Sequence, residues 1–289
     1  MFEWGAWQPL TGGGISKFST ASGVRTLVLQ TLFSSLITLV LVWSLRQAWF
    51  PAVRAALPKL PNAGAEIREG RLIWPDTQAV LLAERPQFSL SVNPTGNGDA
   101  GSAGDLRVEF RPTVLRLEGL LGHQEFAYPP DFTLSLDRTG ASAAWLAWNW
   151  PILALLLIGG FLIVWLWVGI LASVAAIPGL LLGWALGRQL TLSGAWKMGT
   201  ASAVTGWCCL SVGSILYATS WIRLPGLAIA VLSQPSVAAL GFFWAVLRLP
   251  RAAVKVRGVA SRNPFQNESA DRSELGGGSK RTKTKNPFR

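Results

Sequence analysis

Acidic side chains are missing from most of the second half of the chain: between Asp137 and Glu268 there is no Asp or Glu. Carboxylates inside a bilayer are costly and are kept for proton relays and ion coupling. Their absence argues against ion-coupled transport, and against intramembrane aspartyl proteolysis, which needs two acids sharing a proton. Histidine is almost as scarce. The one His, His123, lies in Gly122-His123-Gln124-Glu125, a stretch that reads as a turn with no cysteine in the same region. A lone His without Cys neighbours does not assemble a histidine-rich metal site. The eleven acids between Pro51 and Trp145 are scattered, and Asp76, Asp131 and Asp137 read as turn and strand-end residues.

Cysteine is confined to Cys208 and Cys209, adjacent within an apolar run. Neighbours on a helix point about 100° apart, a poor arrangement for a mutual disulfide, and one pair builds no framework. They read as small packing residues. A nucleophile elbow of the Gly-x-Ser-x-Gly type is absent. Ser211 and Ser214 read as hydrogen-bonding glue between helices. The one glycine-rich run ending in lysine, Gly276-Gly277-Gly278-Ser279-Lys280, has no strand before it to make a phosphate-binding loop. No catalytic, cofactor-binding or metal residues are therefore assigned, and the chain reads as a non-enzyme.

What is present is apolar surface. Of 289 residues, 50% are hydrophobic and only 14% are charged, against roughly 25% charged in ordinary soluble domains. The formal net charge of +11 would suggest nucleic acid in a soluble protein, but its distribution does not. Residues 248–289 hold eleven Lys and Arg against three acids, while 51–145 hold nine against eleven. Anionic lipid head groups are the natural partner of such a tail, and no nucleic-acid partner is expected.

The pattern divides the chain into an N-terminal segment (1–25), a first transmembrane helix (26–50), a soluble β-rich domain (51–142), a membrane helical bundle (143–247) and a disordered basic tail (248–289). The apolar run from Leu27 to Trp49 follows Lys17 and Arg25, starts late for a cleaved leader and reads as an uncleaved signal anchor. Pro58 and Pro61 read as a hinge into the insert, where a period of two is clearest at Leu106, Val108 and Phe110 against Arg107, Glu109 and Arg111. Together with clusters at 65–74, 79–93 and 132–136, this predicts a small antiparallel β domain, with a long loop at 94–104. The stretch from Ala143 to Gly187 carries no charge. As one helix it would extend ~65 Å, so it is expected to fold back or kink, with Ile177-Pro178-Gly179 as the interruption. Gly179, Gly183 and Gly187, four apart, form a small-xxx-small pattern for close helix packing. Two further runs, 200–221 and 224–247, are each long enough to span.

Charge bias leaves two topologies open. Four spans, with Pro178 to Leu190 as a half-inserted helix, put Lys17, Arg25, Arg188, Lys197 and the tail in the cytoplasm and the β domain outside. Five spans put the termini on opposite faces and the β domain inside. The tail also contains Asn263-Pro264-Phe265 and Asn286-Pro287-Phe288, tripeptides that suit a pocket for an exposed Phe on an Asn-Pro turn.

Several phrases carry a resemblance: Leu60-Pro61, Ile67 to Leu72, Phe88 to Gly96, Val108-Glu109-Phe110, Leu115-Arg116-Leu117, Tyr128, and Leu190 to Met198. They resemble a bacterial family of multi-pass membrane proteins of unknown function, some labelled maltodextrin-utilisation membrane proteins, itself distantly similar to the Yip membrane-trafficking family. That family usually has Asp where Asn93 stands here, and the two tail tripeptides are no part of it. The resemblance implies one span, a β domain and a compact bundle in a bacterial inner membrane, and the four-span charge pattern puts the β domain extracytoplasmic and the tail cytoplasmic. It transfers no catalytic residue. The expected function is non-catalytic: the β domain recognises a protein partner or ligand and the bundle anchors it in the lipid bilayer. The alternatives are a transporter or permease accessory subunit and a Yip-like membrane-shaping protein.

Overall fold

The computed structural model describes residues 9–96, 101 and 103–251, so 252–289 of the basic tail, with both Asn-Pro-Phe tripeptides, lie outside the described residues, while Leu249 within the expected tail is buried against the bundle. Four helices in it are long and apolar enough to cross a membrane. They are α2 (Gly23–Ala56), α3 (Arg138–Ala185), α4 (Leu192–Ala218) and α5 (Leu224–Leu247), preceded by the short α1 (Gly12–Lys17). Hydroxyl or carboxylate side chains cap four of the helix starts: Thr11, Ser22, Asp137 and Thr191 each accept a backbone N–H from the first turn.

The charge-free stretch neither folds back nor forms a separate half-inserted segment. Helix α3 is a single element of 48 residues that runs through Pro151 and Pro178, about 72 Å at 1.5 Å per residue. Each proline removes one hydrogen bond, whereas ending the helix in apolar surroundings would expose several unpaired backbone groups. Continuity is the cheaper solution. Helix α3 ends in a Schellman motif: Gly187 is left-handed (φ 61°), its N–H donates to Trp184 O, and Arg188 N–H donates to Gly183 O. The glycine triplet therefore splits in role. A Cβ on Gly179 would lie 2.2 Å from the Phe242 ring and one on Gly183 would lie 3.2 Å from Leu190, whereas Gly187 is a cap facing open space.

Packing between α4 and α5 rests on glycines seven apart. A Cβ on Gly206 would stand 2.2 Å from Gln234 O, and one on Gly213 2.5 Å from Ala230 Cβ. Helix α2 turns a polar stripe inward: Thr26, Gln30, Ser34 and Thr38, each four after the last, are all buried. Gln30 Nε2 donates to Trp165 O (2.7 Å) and Thr38 Oγ1 to Ser34 O (2.8 Å). Ile15 and Phe18 close one end of the bundle, buried with Met198, Phe242 and Val246. At the chain's turns, Lys197 Nζ donates to Ala21 O (2.8 Å), Arg188 to Leu249 O and Arg223 Nη1 to Pro86 O (2.9 Å). Lys197 and Arg188 are thus held against carbonyl oxygens beside helix ends, and Arg223 against one in a turn between strands.

Between α2 and α3 lie eight strands in two sheets. One has the order β2-β1-β8, from Arg71–Ile73, Glu66–Arg68 and Leu134–Ser135. The other runs β3-β4-β5-β6-β7, from Val80–Glu84, Phe88–Val92, Leu106–Phe110, Val114–Gly119 and Gly122–Ala127. The β domain is mixed and not purely antiparallel, because β4 and β5 pair in parallel, Phe88 opposite Leu106. The segment 93–105 supplies the dozen or so residues that a parallel connection needs. His123 is not in a turn. It lies on β7 opposite Glu118, and the turn is Leu120-Leu121, between the paired Gly119 and Gly122.

On one face of β5, β6 and β7 charges alternate across strands: Glu109 pairs with Arg116 and Arg116 with Glu125. Arg111 links Glu109 (2.9 Å) to Glu125 (3.5 Å), and Asn93 Nδ2 donates to Glu109 Oε1 (2.9 Å). Opposite-sign neighbours of this kind hold register. The Tyr128 hydroxyl donates to Arg111 O (3.1 Å), and burial pushes its pKa up to about 12. The other face is apolar and meets the helices. Ala52, Ala56 and Leu60, at and just beyond the end of α2, share one core with Leu82, Phe88 and Val92. Helix α2 runs through Pro51 into the sheet, so the β domain is built around helix ends.

Asp137 ties the last strand to α3. Its Oδ1 accepts from Ser135 Oγ (2.7 Å) and from Gly140 N–H (2.7 Å). These bonds, the serine's first, hold its carboxyl below the usual carboxylate range. A depressed folded-state pKa contributes stability that is fully present above the unfolded carboxylate pKa and is lost as pH falls through the folded value. Asp137→Asn is expected to flatten the acid side of the thermal-unfolding pH profile and leave the neutral side nearly parallel to wild type. Unchanged acid-side slope would show that the cap contributes nothing.

Candidate ligand cleft at the junction of sheet and helices

The β3–β4 hairpin turns at Pro86-Gln87, with Arg85 and Phe88 exchanging backbone hydrogen bonds (3.0 and 3.2 Å). Its tip is fastened to the α4–α5 connection. Gln87, 3% exposed, donates from Nε2 to Tyr217 O (3.0 Å) and Ser220 Oγ (2.5 Å), and the Tyr217 hydroxyl donates to Gln87 O (3.3 Å). Ser220 holds a left-handed backbone (φ 64°), which a non-glycine residue adopts at a cost where the surroundings fix it. Asp105 Oδ2 accepts the Leu224 N–H (3.0 Å), so the sheet caps α5, whose own cap residue Arg223 makes no side-chain cap bond. Aromatic contacts complete the seat: Trp49 with Phe88 (centroids 6.0 Å) and Phe50 edge-on to Trp145 (4.9 Å).

Where strands and helix ends meet, two apolar spaces are lined in part by α2. One cavity, about 420 Å³, is bounded by Leu41, Ser44, Trp49, Leu106, Leu156 and Tyr217. A second, about 380 Å³, lies against Val53, Trp74, Leu90, Phe110, Trp145 and Trp148. Both fall in the size range of small-molecule sites, which are mostly apolar with a few placed polar groups. The first has such a group. Ser44 is 5% exposed and its Oγ has no hydrogen-bond partner, an expensive state for a buried hydroxyl. A third space of about 660 Å³ separates the β6–β7 hairpin from α5, and Leu106, Leu224 and Leu227 border both it and the first cavity.

The residues weighed in the sequence for chemistry do not converge. His123 is on the edge strand, the side chains of Cys208 and Cys209 are half-buried and exposed within α4, and Asp76, Asp131 and Asp137 lie in turns and at a helix cap. Ser211 Oγ is buried without a partner in α4, and Ser214 lines the first cavity. Among the described residues, no three of His, Cys, Asp and Glu gather as a cation site would require. The residues that build the cleft, Ser44, Gln87, Asp105 and Ser220, were not singled out in the sequence. One signal was available: Ser44 is flanked by Trp43 and Leu45 in an otherwise apolar run.

No protein-family model matches the chain, nor does any curated protein or any solved structure.

Proposed function

We propose that the chain is a non-catalytic integral membrane protein that binds an apolar ligand, carrying a single hydrogen-bonding group, in the cavity where its β domain sits on the helical bundle. The observation that carries this reading is the 420 Å³ space at Ser44, apolar except for a few hydroxyls, one of them buried and unpaired. A ligand carbonyl or hydroxyl at Ser44 Oγ would satisfy that group, and the surrounding leucine and tryptophan surface would take the hydrocarbon. In the bilayer, a lipid is the abundant molecule of this chemistry. The β domain then faces the cell exterior and the basic tail rests on anionic lipid in the cytoplasm, the orientation that keeps Lys17, Arg25, Arg188 and Lys197 inside. Of the two features that favour the permease alternative, an interrupted helix and a Gly-rich packing face, α3 lacks the first.

Native mass spectrometry of the full chain released from vesicles tests the reading. Wild type is expected to retain lipid, and Ser44→Ala to weaken retention by about fivefold, the equivalent of one hydrogen bond of ~1 kcal/mol. Equal retention by both proteins would remove Ser44 from the site.

A further inference from the structure

The β6–β7 turn has the wrong residues for a turn in water. Two-residue hairpin loops favour Asn, Asp and Gly, which bond water and adopt the needed backbone. Here the loop is Leu120-Leu121, with Leu121 fully exposed, Leu120 half exposed and the glycines displaced to the flanks. Two residues up the strand, Glu118 is engaged by Arg107 (3.9 Å) and Arg116 (3.5 Å). The hairpin is thus charged above and apolar at its end, the polarity of a segment crossing a membrane surface.

Its neighbour continues the argument. The groove beside the tip runs along α5 from Leu224 to Leu232, about 12 Å along the axis, less than the ~15 Å half-thickness of a hydrocarbon core. On α5, a helix apolar enough to span, Ile229, Val231 and Leu232 are exposed, and Trp221 stands exposed just before its start. The groove is therefore continuous with the face of α5 that lipid would cover. We propose that Leu120-Leu121 inserts into the leaflet on the β-domain side, and that the groove behind it holds one acyl chain of a bilayer lipid. This rests on the preceding reading that the helices cross the bilayer. It places that chain beside the Ser44 cavity, with which the groove shares the lining residues Leu106, Leu224 and Leu227.

The test uses full-length chain with Cys208→Ala and Cys209→Ala, reconstituted in phosphatidylcholine vesicles. An environment-sensitive fluorophore is placed at Leu121→Cys, at Leu117→Cys inside the groove, and at Asp76→Cys as the aqueous reference. Lipid doxyl-labelled at carbon 5 is expected to quench positions 121 and 117 several-fold more than 76, with iodide showing the reverse order. Adding Ala228→Trp, which fills the groove, is expected to abolish doxyl quenching at 117 and spare it at 121. Iodide access at 121 equal to that at 76 would overturn insertion. Shielding from both quenchers would overturn it too, by marking a protein or a second copy on that face. Undiminished quenching at 117 after filling would overturn the acyl-chain site. Lipid retention at Ser44 is read separately by mass spectrometry, so a tip found in water with retention intact overturns this inference alone.

Discussion

Phe88→Ala is expected to destabilise the protein by about 3–5 kcal/mol, the range for emptying a buried aromatic site. Phe88 is buried in a core that includes Ala52 and Ala56 of α2, and its ring lies 6.0 Å from that of Trp49. Because strand and helix share this core, the loss should not stay in the sheet. Hydrogen exchange is expected to accelerate both in β3 and β4 and over residues 49–56 of α2, while α4 near Met198 keeps its protection. Exchange confined to the strands would show that the β domain is independent of the helices and that the cleft between them is not a built feature.

Gly206→Val is expected to cost about 3 kcal/mol or more and to lower recovery of folded protein from detergent. Any Cβ at this position would lie 2.2 Å from the Gln234 carbonyl oxygen and 3.1 Å from its carbon. Those are backbone atoms of α5, so no side-chain rotation relieves the overlap and the helices must separate along a seam set by close approach. Gly159, in α3, has nothing within 4 Å of its would-be Cβ. Gly159→Ala should therefore be neutral or stabilising by up to ~1 kcal/mol through helix propensity alone. Thermal unfolding of the two variants in the same detergent checks the contrast. Similar losses in both would mean that glycine matters through flexibility and not through packing.

The parts of the fold that depend on composition along the chain were legible. Apolar length marked the helical stretches while leaving four or five spans open, and alternation at 106–111 specified a half-buried strand. Pairing was harder to read. Strand β7 is Gly-His-Gln-Glu-Phe-Ala, an exposed edge whose residues alternate no more clearly than a loop, and its membership in the sheet is decided by Arg116 and Glu118 opposite it. The parallel β4–β5 pair depends on where a long loop returns, which no local pattern records. Proline at 178 suggested a break because its local cost is visible in sequence, while the cost of unpaired backbone in apolar surroundings is set by the neighbours. The four-residue spacing of the polar residues Thr26, Gln30, Ser34 and Thr38 matches the buried face of α2.

The cleft was the least legible element, for the same reason. It is made by Ser44 on α2, Leu156 on α3, Tyr217 on α4 and Leu106 on β5, four segments that no periodicity relates. Its fastenings are equally non-local: Gln87 and Asp105 meet a helix connection more than a hundred residues later. No acid, histidine or cysteine lines it. Its polar groups are hydroxyls and an indole, and the Ser44 hydroxyl among them is buried without a partner.

The central claim is that this junction holds a lipid. Native mass spectrometry of wild type beside Leu156→Trp, whose added bulk occupies the Ser44 cavity, tests it most directly. The account predicts retained lipid on wild type and its loss from a Leu156→Trp protein that still unfolds cooperatively in detergent. Equal lipid occupancy on both proteins, or none on wild type, would contradict it.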